Sequence, residues 1–465
     1  MRDHVRFSLN GRDQTVHGRD VFVTLSDYLR SSCHSIGTKV VCAEGDCGAC
    51  TVLVDHGDGR SFVPLDSCIQ FVHQVDGTQV VTIEGLGTAT EMHPVQQALV
   101  DHHGSQCGYC TPGIAMALAG WKEAGCPVEP ESPRIALTGN LCRCTGYTTI
   151  FAAAEQIQHE PVPSLRHRYG SLAVCRDAVQ VEADGRTVCV PTSLEEALAF
   201  KAAHPQAEIV AGATELGVWR NKRGYEPAHM LRLNRVTELD GVRVSDGVMS
   251  IGANATWSQI EPLTKQHLPE FCRIIQRFGS PQIRNAGTLA GNVANGSPIS
   301  DSLGVLTVLD ATLEIAGPHG RRIRPIDGFY TGYKKKDLAA DELITCISIP
   351  LPPAGDRLKL IKVSRRWDMD IASFGAAFLI RQHEGLIVHA AVAYTGVAAT
   401  VVRMKEVEQA LMGKPFTEAT FRAAGRVARG AIRPIDDVRG SADFRLQLAE
   451  NALLHFYWNS AEVKI

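Results

Sequence analysis

The sequence predicts a multidomain α+β protein, and three observations support this prediction. The chain has 465 residues, which corresponds to about three domains at a typical length of roughly 150 residues each. Its 14 cysteines are unevenly distributed, because ten of them precede residue 150. The hydrophobic pattern changes along the chain from short strands to helices, and then to alternating strands and helices.

Composition and charge exclude several classes of protein. Hydrophobic residues make up 45% and charged residues 21% of the chain, as in a globular protein. The net charge of -3 gives no bulk attraction to nucleic acid or to an anionic membrane. No apolar run is long enough to span a membrane, and "MRDHVRFSLNG" does not resemble a signal peptide. We therefore expect a cytoplasmic protein, in which reduced thiols favour metal ligation over disulfides.

The first 87 residues predict a small mixed α+β domain. Residues 4–10 alternate between polar and apolar side chains and "GRD" turns the chain, which indicates a hairpin. Apolar residues at helical spacing over 24–34 predict a helix with Thr24 or Ser26 as its cap. Two later strands are expected, one after "CGAC" and one that ends near residue 87.

Residues 88–160 predict a helical domain. Pro94 suits the first turn of one helix, Pro112 opens a second helix, and residues 148–158 are a third candidate. A stretch rich in proline and basic residues over 161–178 predicts a linker.

The remainder predicts two further domains, at 179–355 and 356–465. Strands and helices alternate in the first of them, where Thr192 and Glu195 form the pattern of a capping box at a helix start. Prolines near residue 350 interrupt the chain, and the last domain is expected to contain strands followed by helices.

A first cysteine cluster lies in "CAEGDCGAC". Cys42, Cys47 and Cys50 have the spacing C-x4-C-x2-C and Cys68 follows, which is the plant-type [2Fe–2S] spacing. The two glycines of the loop permit backbone conformations that bring amide N–H groups close to cluster sulfurs. The alternatives are a structural zinc site or unrelated core cysteines.

A second cluster comprises Cys107 and Cys110 in "CGYC" and Cys142 and Cys144 in "CRC". Taken alone, these four thiols could bind zinc, but the plant-type motif upstream favours a second [2Fe–2S] centre. Pro112 places Cys110 near a helix N-terminus, where N–H groups and the helix dipole favour an anionic cluster. The remaining cysteines are expected to be buried small side chains without a role: Cys33, Cys126, Cys175, Cys189, Cys272 and Cys346.

Two glycine-rich loops, at 209–219 and 284–301, could present backbone N–H groups to a pyrophosphate. Neither has the G-x-G-x-x-G spacing, so a Rossmann dinucleotide site is not supported. Each loop alone could be an ordinary turn. Together, behind two iron–sulfur motifs, they indicate a phosphate-bearing redox cofactor.

Six motifs in this order carry a resemblance: "CAEGDCGACTV", "QCGYCTPG", "GNLCRCTGY", "GATELG", "GTLAGNVANGSPISD" and "KVSRRWDMDIA". Over essentially its whole length, the sequence resembles the xanthine oxidase family of molybdenum hydroxylases. The resemblance implies a β-grasp 2Fe–2S ferredoxin-like domain at 1–87 and a four-helix 2Fe–2S domain at 88–160. It also implies a vanillyl-alcohol-oxidase-type (PCMH) FAD-binding domain at 179–355. A C-terminal α+β flavoprotein domain of the CO dehydrogenase type would occupy 356–465.

The resemblance also implies the cofactor contacts, and it implies no catalytic side chain because the chain would act as an electron relay. The FAD contacts would be Val210, Ala211, Gly212, Ala213, Thr214, Glu215, Leu216, Phe278, Thr288, Gly291, Asn292, Ser300, Asp301, Ile344 and Lys362. Phe278 would face the flavin ring, and Lys362 would stabilise negative charge on it. Tyr333 and Asp368 match positions that contact NAD, whereas Trp367 and Met369 replace acidic residues common in the family. Gln106 matches a residue that touches the partner's molybdopterin.

The function implied is that of the electron-transfer small subunit of a bacterial xanthine dehydrogenase. Electrons would pass from a molybdenum centre on a large partner subunit, which converts hypoxanthine to xanthine and urate, through two [2Fe–2S] clusters to FAD and NAD+. The family form is a dimer of heterodimers. The alternatives are a related hydroxylase of aldehydes or N-heterocycles, a stand-alone NADH reductase, and a non-enzymatic scaffold with two zinc sites.

Overall fold

The computed structural model describes residues 1–126, 132–170 and 177–460, so Cys175 lies outside the described residues. The chain divides into two compact units. The first unit comprises Met1–Glu238, Thr256–Ser258 and Gly279–Gly287. The second unit comprises Leu239–Ala255, Gln259–Phe278 and Thr288–Ile465. The 179–355 segment contributes to both units, and the domain boundaries stay predictions.

The first unit begins with a five-stranded sheet. Its strands are β1 (Val5–Leu9), β2 (Arg12–Val16), β3 (Thr51–Asp55), β4 (Val63–Asp66) and β5 (Gln79–Val81), in the order β2-β1-β5-β3-β4. β1 and β2 form the predicted hairpin, while β1 and β5 run parallel. The helix α1 (Leu25–Asp27) continues as a π turn to Ser32, and the Thr24 hydroxyl accepts a hydrogen bond from the Asp27 N–H at 3.2 Å. The hairpin and the Thr24 cap are therefore confirmed.

The strand predicted to end near residue 87 is shorter than expected. β5 ends at Val81, and a helical turn, α2 (Ile83–Leu86), follows it. The Thr82 N–H donates to the Asn10 side chain rather than to a neighbouring strand, and the Gly85 N–H closes the turn on the Thr82 carbonyl at 2.9 Å. The prediction of a continuous strand was wrong because this distant side chain ends the ladder.

Helices dominate the next segment, as predicted. They are α3 (Pro94–Asp101), α4 (Thr111–Glu123), α5 (Ser132–Ala136), α6 (Thr148–His159) and α7 (Leu165–Tyr169). α4 is buried continuously over residues 113–121 and forms the centre of this core. Pro94 begins α3 and Pro112 lies in the first turn of α4, where a missing N–H costs nothing. α7 lies within the stretch predicted to be a linker.

A second sheet completes the first unit. Its strands have the order β6-β7-β9-β8 and are β6 (Val179–Ala183), β7 (Arg186–Val190), β8 (Glu208–Val210) and β9 (His229–Arg232). The helices of this part are α8 (Leu194–Ala203), α9 (Leu216–Arg223) and, later in the chain, α12 (Pro281–Arg284). The capping pattern at α8 is shifted by one residue from the prediction. The Ser193 hydroxyl accepts from the Glu196 N–H, and the Glu196 carboxylate accepts from the Thr192 N–H.

The second unit contains a five-stranded antiparallel sheet, a two-stranded ribbon and a four-stranded C-terminal sheet. The first sheet has the order β10-β11-β16-β12-β13, with β10 (Val242–Ser245), β11 (Val248–Gly252), β12 (Thr312–Gly317), β13 (Gly320–Pro325) and β16 (Leu343–Pro350). The ribbon pairs β14 (Tyr330–Gly332) with β15 (Lys335–Lys336). The helices of this part are α10 (Trp257–His267), α11 (Pro269–Phe278), α13 (Leu289–Asn295) and α14 (Leu303–Val308).

The C-terminal part has strands followed by helices, as predicted. β17 (Arg357–Val363), β18 (Phe374–His383), β19 (Leu386–Thr395) and β20 (Val402–Arg403) form a sheet in sequence order. α15 (Lys405–Leu411), α16 (Glu418–Ala431) and α17 (Ala442–Ser460) pack on it through a shared apolar core. Among the described helices of the chain, none is both long enough and apolar enough to cross a membrane.

Candidate functional site

The four predicted cysteines of the first cluster lie together. Three of them occupy the loop before β3, and Cys68 follows β4. Pairing of β3 with β4, which sets Thr51 opposite Asp66, brings Cys50 near Cys68. The Cys42 thiol contacts those of Cys47 and Cys68, and the Cys50 thiol also contacts that of Cys68. All except Cys42 are buried.

Local hydrogen bonds and burial set the electrostatics of this loop. The thiol contact lowers the pKa of Cys42 and raises that of Cys47, because one sulfur accepts the proton that the other donates. The Asp46 N–H lies 3.4 Å from the Cys42 sulfur, so the backbone can stabilise negative charge there. Burial, together with charge on Cys42, raises the pKa of Asp66 to about 7.

The four cysteines of the second cluster also lie together, as two contacting pairs. In each pair, one cysteine comes from "CGYC" and the other from "CRC". The Cys107 thiol contacts that of Cys144, and the Cys110 thiol contacts that of Cys142. Cys107 and Cys144 are exposed. Cys110 immediately precedes α4, and burial raises the pKa of its thiol to about 12. The helix-start position predicted for Cys110 is confirmed.

The sulfur positions can be compared with what a single zinc ion would require. A tetrahedral zinc site with Zn–S bonds of about 2.3 Å requires all four sulfurs to lie within about 3.8 Å of one another. Among the residues that the structure describes, no three cysteine sulfurs lie within 4.8 Å of one another. The sulfurs of the second set are in contact as two pairs, and those of the first set form a chain of contacts in the order Cys47, Cys42, Cys68 and Cys50. Each set supplies the four thiolates that a [2Fe–2S] cluster needs.

Glycines allow the two cysteine loops to pack directly against each other. A Cβ atom on Gly48 would overlap the carbonyl oxygen of Gly139, and one on Gly113 would overlap the carbonyl oxygen of Gly48. Gly48 also has a φ of 65°, which side chains rarely adopt. The sequence motifs contain these glycines, but only the fold shows that they face one another.

The first glycine-rich loop connects β8 to α9 and holds the predicted contacts from Val210 to Leu216. Its carbonyl groups are fixed by two glutamines near the first cysteine cluster. The Gln70 side chain donates to the Gly212 carbonyl at 2.9 Å, and the Gln74 side chain donates to the Ala211 carbonyl at 3.2 Å. A Cβ atom on Gly212 would overlap the Ala286 carbonyl. The close approach therefore requires glycine, as a cofactor loop does.

Asn221 is a residue that the sequence analysis missed. It lies on α9, and its amide donates to the Ala43 carbonyl at 3.0 Å and to the Cys68 carbonyl at 2.7 Å. It thus fixes the two ends of the first cysteine set to the helix that follows the first glycine-rich loop. No motif marks Asn221, because its partners are distant in sequence.

The second glycine-rich loop, in the second unit, uses its short polar side chains to shape itself. The Thr288 hydroxyl caps α13 by accepting from the Gly291 N–H at 2.9 Å. The hydroxyls of Ser300 and Ser302 donate to the Asn292 side-chain oxygen at 2.5 and 2.7 Å. This network fixes the segment that leads to Asp301.

A small cavity in the second unit brings together three of the predicted FAD contacts. Lys362 Nζ lies 2.7 Å from Asp301 Oδ2, and the two side chains are 2% and 16% exposed. Burial raises the pKa of Asp301, and the Lys362 charge opposes that shift. The cavity is lined by Ile274, Ser300, Asp301, Gly304, Val305, Leu360, Ile361, Lys362, Gly375, Ala376, Ala377 and Thr395. Phe278 on α11 and Ile344 on β16, both of which the structure describes, do not line it.

The segment that follows β17 contains Asp368, a predicted NAD contact, between Trp367 and Met369. The Trp367 side chain is 68% exposed, and the Arg277 guanidinium lies 3.7 Å from the centre of its ring. Met369 has a φ of 51°, and its N–H donates to the Arg277 carbonyl at 3.0 Å. Burial lowers the pKa of Arg277, and the nearby Asp368 charge opposes the shift. A cation–π contact therefore involves Trp367, one of the two residues that depart from the family resemblance.

Comparisons with known proteins assign four family domains to the chain. A 2Fe-2S iron-sulfur cluster binding domain matches residues 7–70, and a [2Fe-2S] binding domain matches residues 82–155. The FAD binding domain in molybdopterin dehydrogenase matches residues 181–352. The CO dehydrogenase flavoprotein C-terminal domain matches residues 359–460.

Solved structures and curated proteins agree with this assignment. A carbon monoxide dehydrogenase from Hydrogenophaga pseudoflava, described as lacking the Mo-pyranopterin moiety of its molybdenum cofactor, is 31% identical, with a TM-score of 0.56. The match covers 58% of this chain and 96% of that one. The chain belongs to the xanthine oxidase family. Its predicted multidomain α+β fold class is thereby confirmed.

Longer family members match nearly the whole chain. Xanthine dehydrogenase from Drosophila subobscura is 31% identical over 88% of this chain, and aldehyde oxidase 1 from Bos taurus is 26% identical over 98%. The chain spans only 36% and 39% of the lengths of these relatives. It therefore corresponds to the FAD and [2Fe–2S] electron-transfer part of a molybdenum hydroxylase, which is an oxidoreductase.

Proposed function

We propose that this chain is the electron-transfer small subunit of a xanthine dehydrogenase. The observation that carries the proposal is the convergence of two four-cysteine sets, in a chain that also matches an FAD-binding domain. The similarity to a xanthine dehydrogenase over 88% of the chain supports this substrate class. A cytoplasmic location is part of the same proposal.

The chain's own residues would hold and tune the cofactors. Each cysteine set would ligate one [2Fe–2S] cluster, and the N–H of Asp46 would stabilise negative charge on the first. The two glycine-rich loops would contact FAD, and Lys362 would provide positive charge near it. When bound, clusters exchange single electrons, whereas FAD can pass a pair as hydride to NAD+.

A large molybdopterin-binding partner subunit would complete the enzyme. The match to 96% of a carbon monoxide dehydrogenase chain, from an enzyme whose structure is described with a molybdenum cofactor, supports a separate chain for the molybdenum centre. Cys107 and Cys144 are exposed, and the exposed apolar side chains of Tyr109 and Leu141 are close to them in sequence. We propose that the partner covers this surface near Gln106, in a dimer of heterodimers.

The overall redox balance requires both chains. Each hydroxylation at the partner removes two electrons from the purine and takes its oxygen from water. The same two electrons reach NAD+ as a hydride, so no other oxidant is needed. The similarity to an aldehyde oxidase over 98% of the chain supports an aldehyde or N-heterocycle as the second candidate substrate.

The test is anaerobic reduction of the purified two-chain complex by xanthine. We expect xanthine to bleach the flavin and iron–sulfur absorption, and added NAD+ to restore it with one NADH formed per urate. Iron analysis should give about four irons per small subunit. Bleaching by an aldehyde but not by xanthine would favour the second candidate. A colourless chain that contains zinc would refute the electron-transfer role.

A further inference from the structure

A cluster of metal-ligating side chains lies at the open end of the β1–β2 hairpin, and the proposed function assigns it no role. It comprises Asp3, His4 and His17. One ring nitrogen of each histidine and one carboxylate oxygen of Asp3 lie within 4.8 Å of one another. The His4 Nδ1 atom is 2.9 Å from Asp3 Oδ1. Among the described residues, no other three histidine, cysteine, aspartate or glutamate side chains bring their ligand atoms this close together.

Strand pairing sets the two histidines opposite each other. The last pair of the β1–β2 ladder joins Val5 to Val16, and both valines are buried. The next position in the same register places His4 opposite His17. Because side chains alternate between the two faces of a sheet, this register turns both imidazoles away from the face that holds the two valines. Directly opposed residues have Cβ atoms about 4.5–5.5 Å apart, so one ion can bridge their imidazoles.

Hydrogen bonds fix the backbone that carries the cluster. The Arg2 N–H donates to the Ala178 carbonyl at 2.8 Å, and the Arg2 guanidinium donates to the His4 carbonyl at 3.0 Å. The same guanidinium donates to the Asp76 carboxylate at 3.0 Å, so its positive charge is compensated beside the cluster. The backbone positions of the ligands are therefore set by contacts that need no metal ion.

The two imidazoles are not explained by capping or by ring stacking. His17 precedes a short 3₁₀ helix (Gly18–Phe22), but its side chain does not cap that helix. The ring centres of His4 and His17 are 5.0 Å apart, and the ring planes are tilted by 41°. Ring attraction favours offset-stacked or perpendicular pairs instead. Asp3 and His17 are exposed, so their side chains are free to turn toward a shared ion that water also reaches.

We propose that Asp3, His4 and His17 bind one divalent transition-metal ion of the zinc class. Two imidazoles and one carboxylate are ligands that Zn²⁺ accepts at about 2.0–2.2 Å. Ligands of a tetrahedral ion at that distance are about 3.3 Å apart, so the ligand atoms approach one another by at most about 1.5 Å on binding. The ion joins the start of β1 to the end of β2, and water completes its coordination. The site is separate from the iron–sulfur and FAD sites of the proposed function.

The test uses Cu²⁺ as the probe, because Cu²⁺ binds such ligands more tightly than other divalent ions of its row. The full chain with its cofactors is first oxidised, so that the clusters and the flavin give no electron paramagnetic resonance signal. Nitrogen modulation of the Cu²⁺ signal then counts the bound imidazoles. We expect one bound Cu²⁺ per chain, with two imidazoles as ligands.

Substitutions identify the ligands. His4→Gln and His17→Gln should each leave one imidazole and weaken Cu²⁺ binding by at least about tenfold, since loss of even an outer partner of a metal ligand costs about 10–100-fold. Asp3→Asn should weaken binding and leave both imidazoles in place. Two exposed residues provide matched controls: His167→Gln removes a histidine on α7, and Asp13→Asn removes a carboxylate from the same hairpin. Both controls should bind Cu²⁺ like the unmodified chain.

Competition with Zn²⁺ tests the class of ion. Excess Zn²⁺ should abolish the two-imidazole signal while the iron–sulfur absorption stays unchanged. Three results would each overturn the proposal: fewer than two imidazoles in the unmodified chain, a full signal in both histidine variants, or a signal that persists in excess Zn²⁺. Circular dichroism checks the fold of each variant. Should one histidine variant fail to fold, the other decides.

Discussion

The ion pair between Lys362 and Asp301 leads to a prediction whose size can be worked out. Both side chains are largely buried, and their charged atoms are 2.7 Å apart. Removing one partner of a buried pair leaves an uncompensated charge and costs about 3–5 kcal/mol. We therefore expect Lys362→Met to lower the free energy of unfolding of the second unit by about this amount near neutral pH.

The pH dependence has a definite sign. Burial already raises the pKa of Asp301 in the folded chain, and loss of the Lys362 charge raises it further. The folded chain then holds the proton more tightly than the unfolded chain, whose aspartate pKa is about 3.9. The destabilisation is therefore smallest below about pH 3.9 and grows by about 1.4 kcal/mol per pH unit. It levels off once the pH exceeds the raised pKa.

Urea denaturation followed by circular dichroism, at several pH values, measures this effect. The control is Lys362→Met combined with Asp301→Leu, which removes the buried carboxylate as well as the cation. We expect the double variant to recover most of the lost stability and to lose the added pH dependence. If the single and double variants are equally unstable at every pH, the ion-pair argument is refuted, and the cost comes from packing alone.

Three further substitutions test other features. Burial lowers the pKa of His73 well below its usual value, and neither ring nitrogen has a hydrogen-bond partner. The unmodified chain should therefore lose about 1.4 kcal/mol of stability per pH unit as the pH falls below about 6.5. His73→Phe, which keeps the stack on Phe71, should abolish this loss, and urea denaturation in mild acid measures it. Gly113→Ala would press a methyl group against the Gly48 carbonyl and should cost about 1–3 kcal/mol; thermal denaturation checks this, and normal stability would contradict it. Trp367→Ala removes an exposed cation–π contact worth about 0.5–1 kcal/mol, so thermal denaturation should show only a small shift, while a raised KM for NAD+ would support its place in the proposed NAD site.

Much of the fold follows from local signals. Alternation predicted the β1–β2 hairpin, and Pro94 and Pro112 marked two helix starts, because these features depend on a few neighbouring residues. The predictions that were wrong concern backbone N–H groups that could bond to more than one side chain, either adjacent or distant in sequence. Ser193 and Thr192 both suit a helix cap, and only the fold selects Ser193. The Asn10 side chain, 72 residues before Thr82, ends β5.

The candidate site likewise combines features that the sequence predicts with features that only the fold shows. Cysteine spacing predicted both sets, because iron ligation needs four thiolates near one another. The partners of the loops could not be predicted, since the Asn221 amide meets backbone carbonyls far away in sequence. The Asn140 side chain, which donates to the Gly48 carbonyl at 3.0 Å, was within reach of sequence reasoning, because Asn140 lies two residues before Cys142 in the motif "GNLCRCTGY". The predicted FAD contacts remain a prediction, although three of them share one cavity.

The facing glycines have a consequence for how such a chain can be rearranged. The two iron–sulfur family domains, at residues 7–70 and 82–155, look like modules that evolution could shuffle independently. Yet the bare backbone at Gly48 fits against Gly113 and Gly139 with no room for a methyl group. A transplanted first module would leave a gap beside its cysteines, and a foreign neighbour would have to provide the same backbone shape that Gly113 and Gly139 provide. The two modules therefore fit together as one interlocked body.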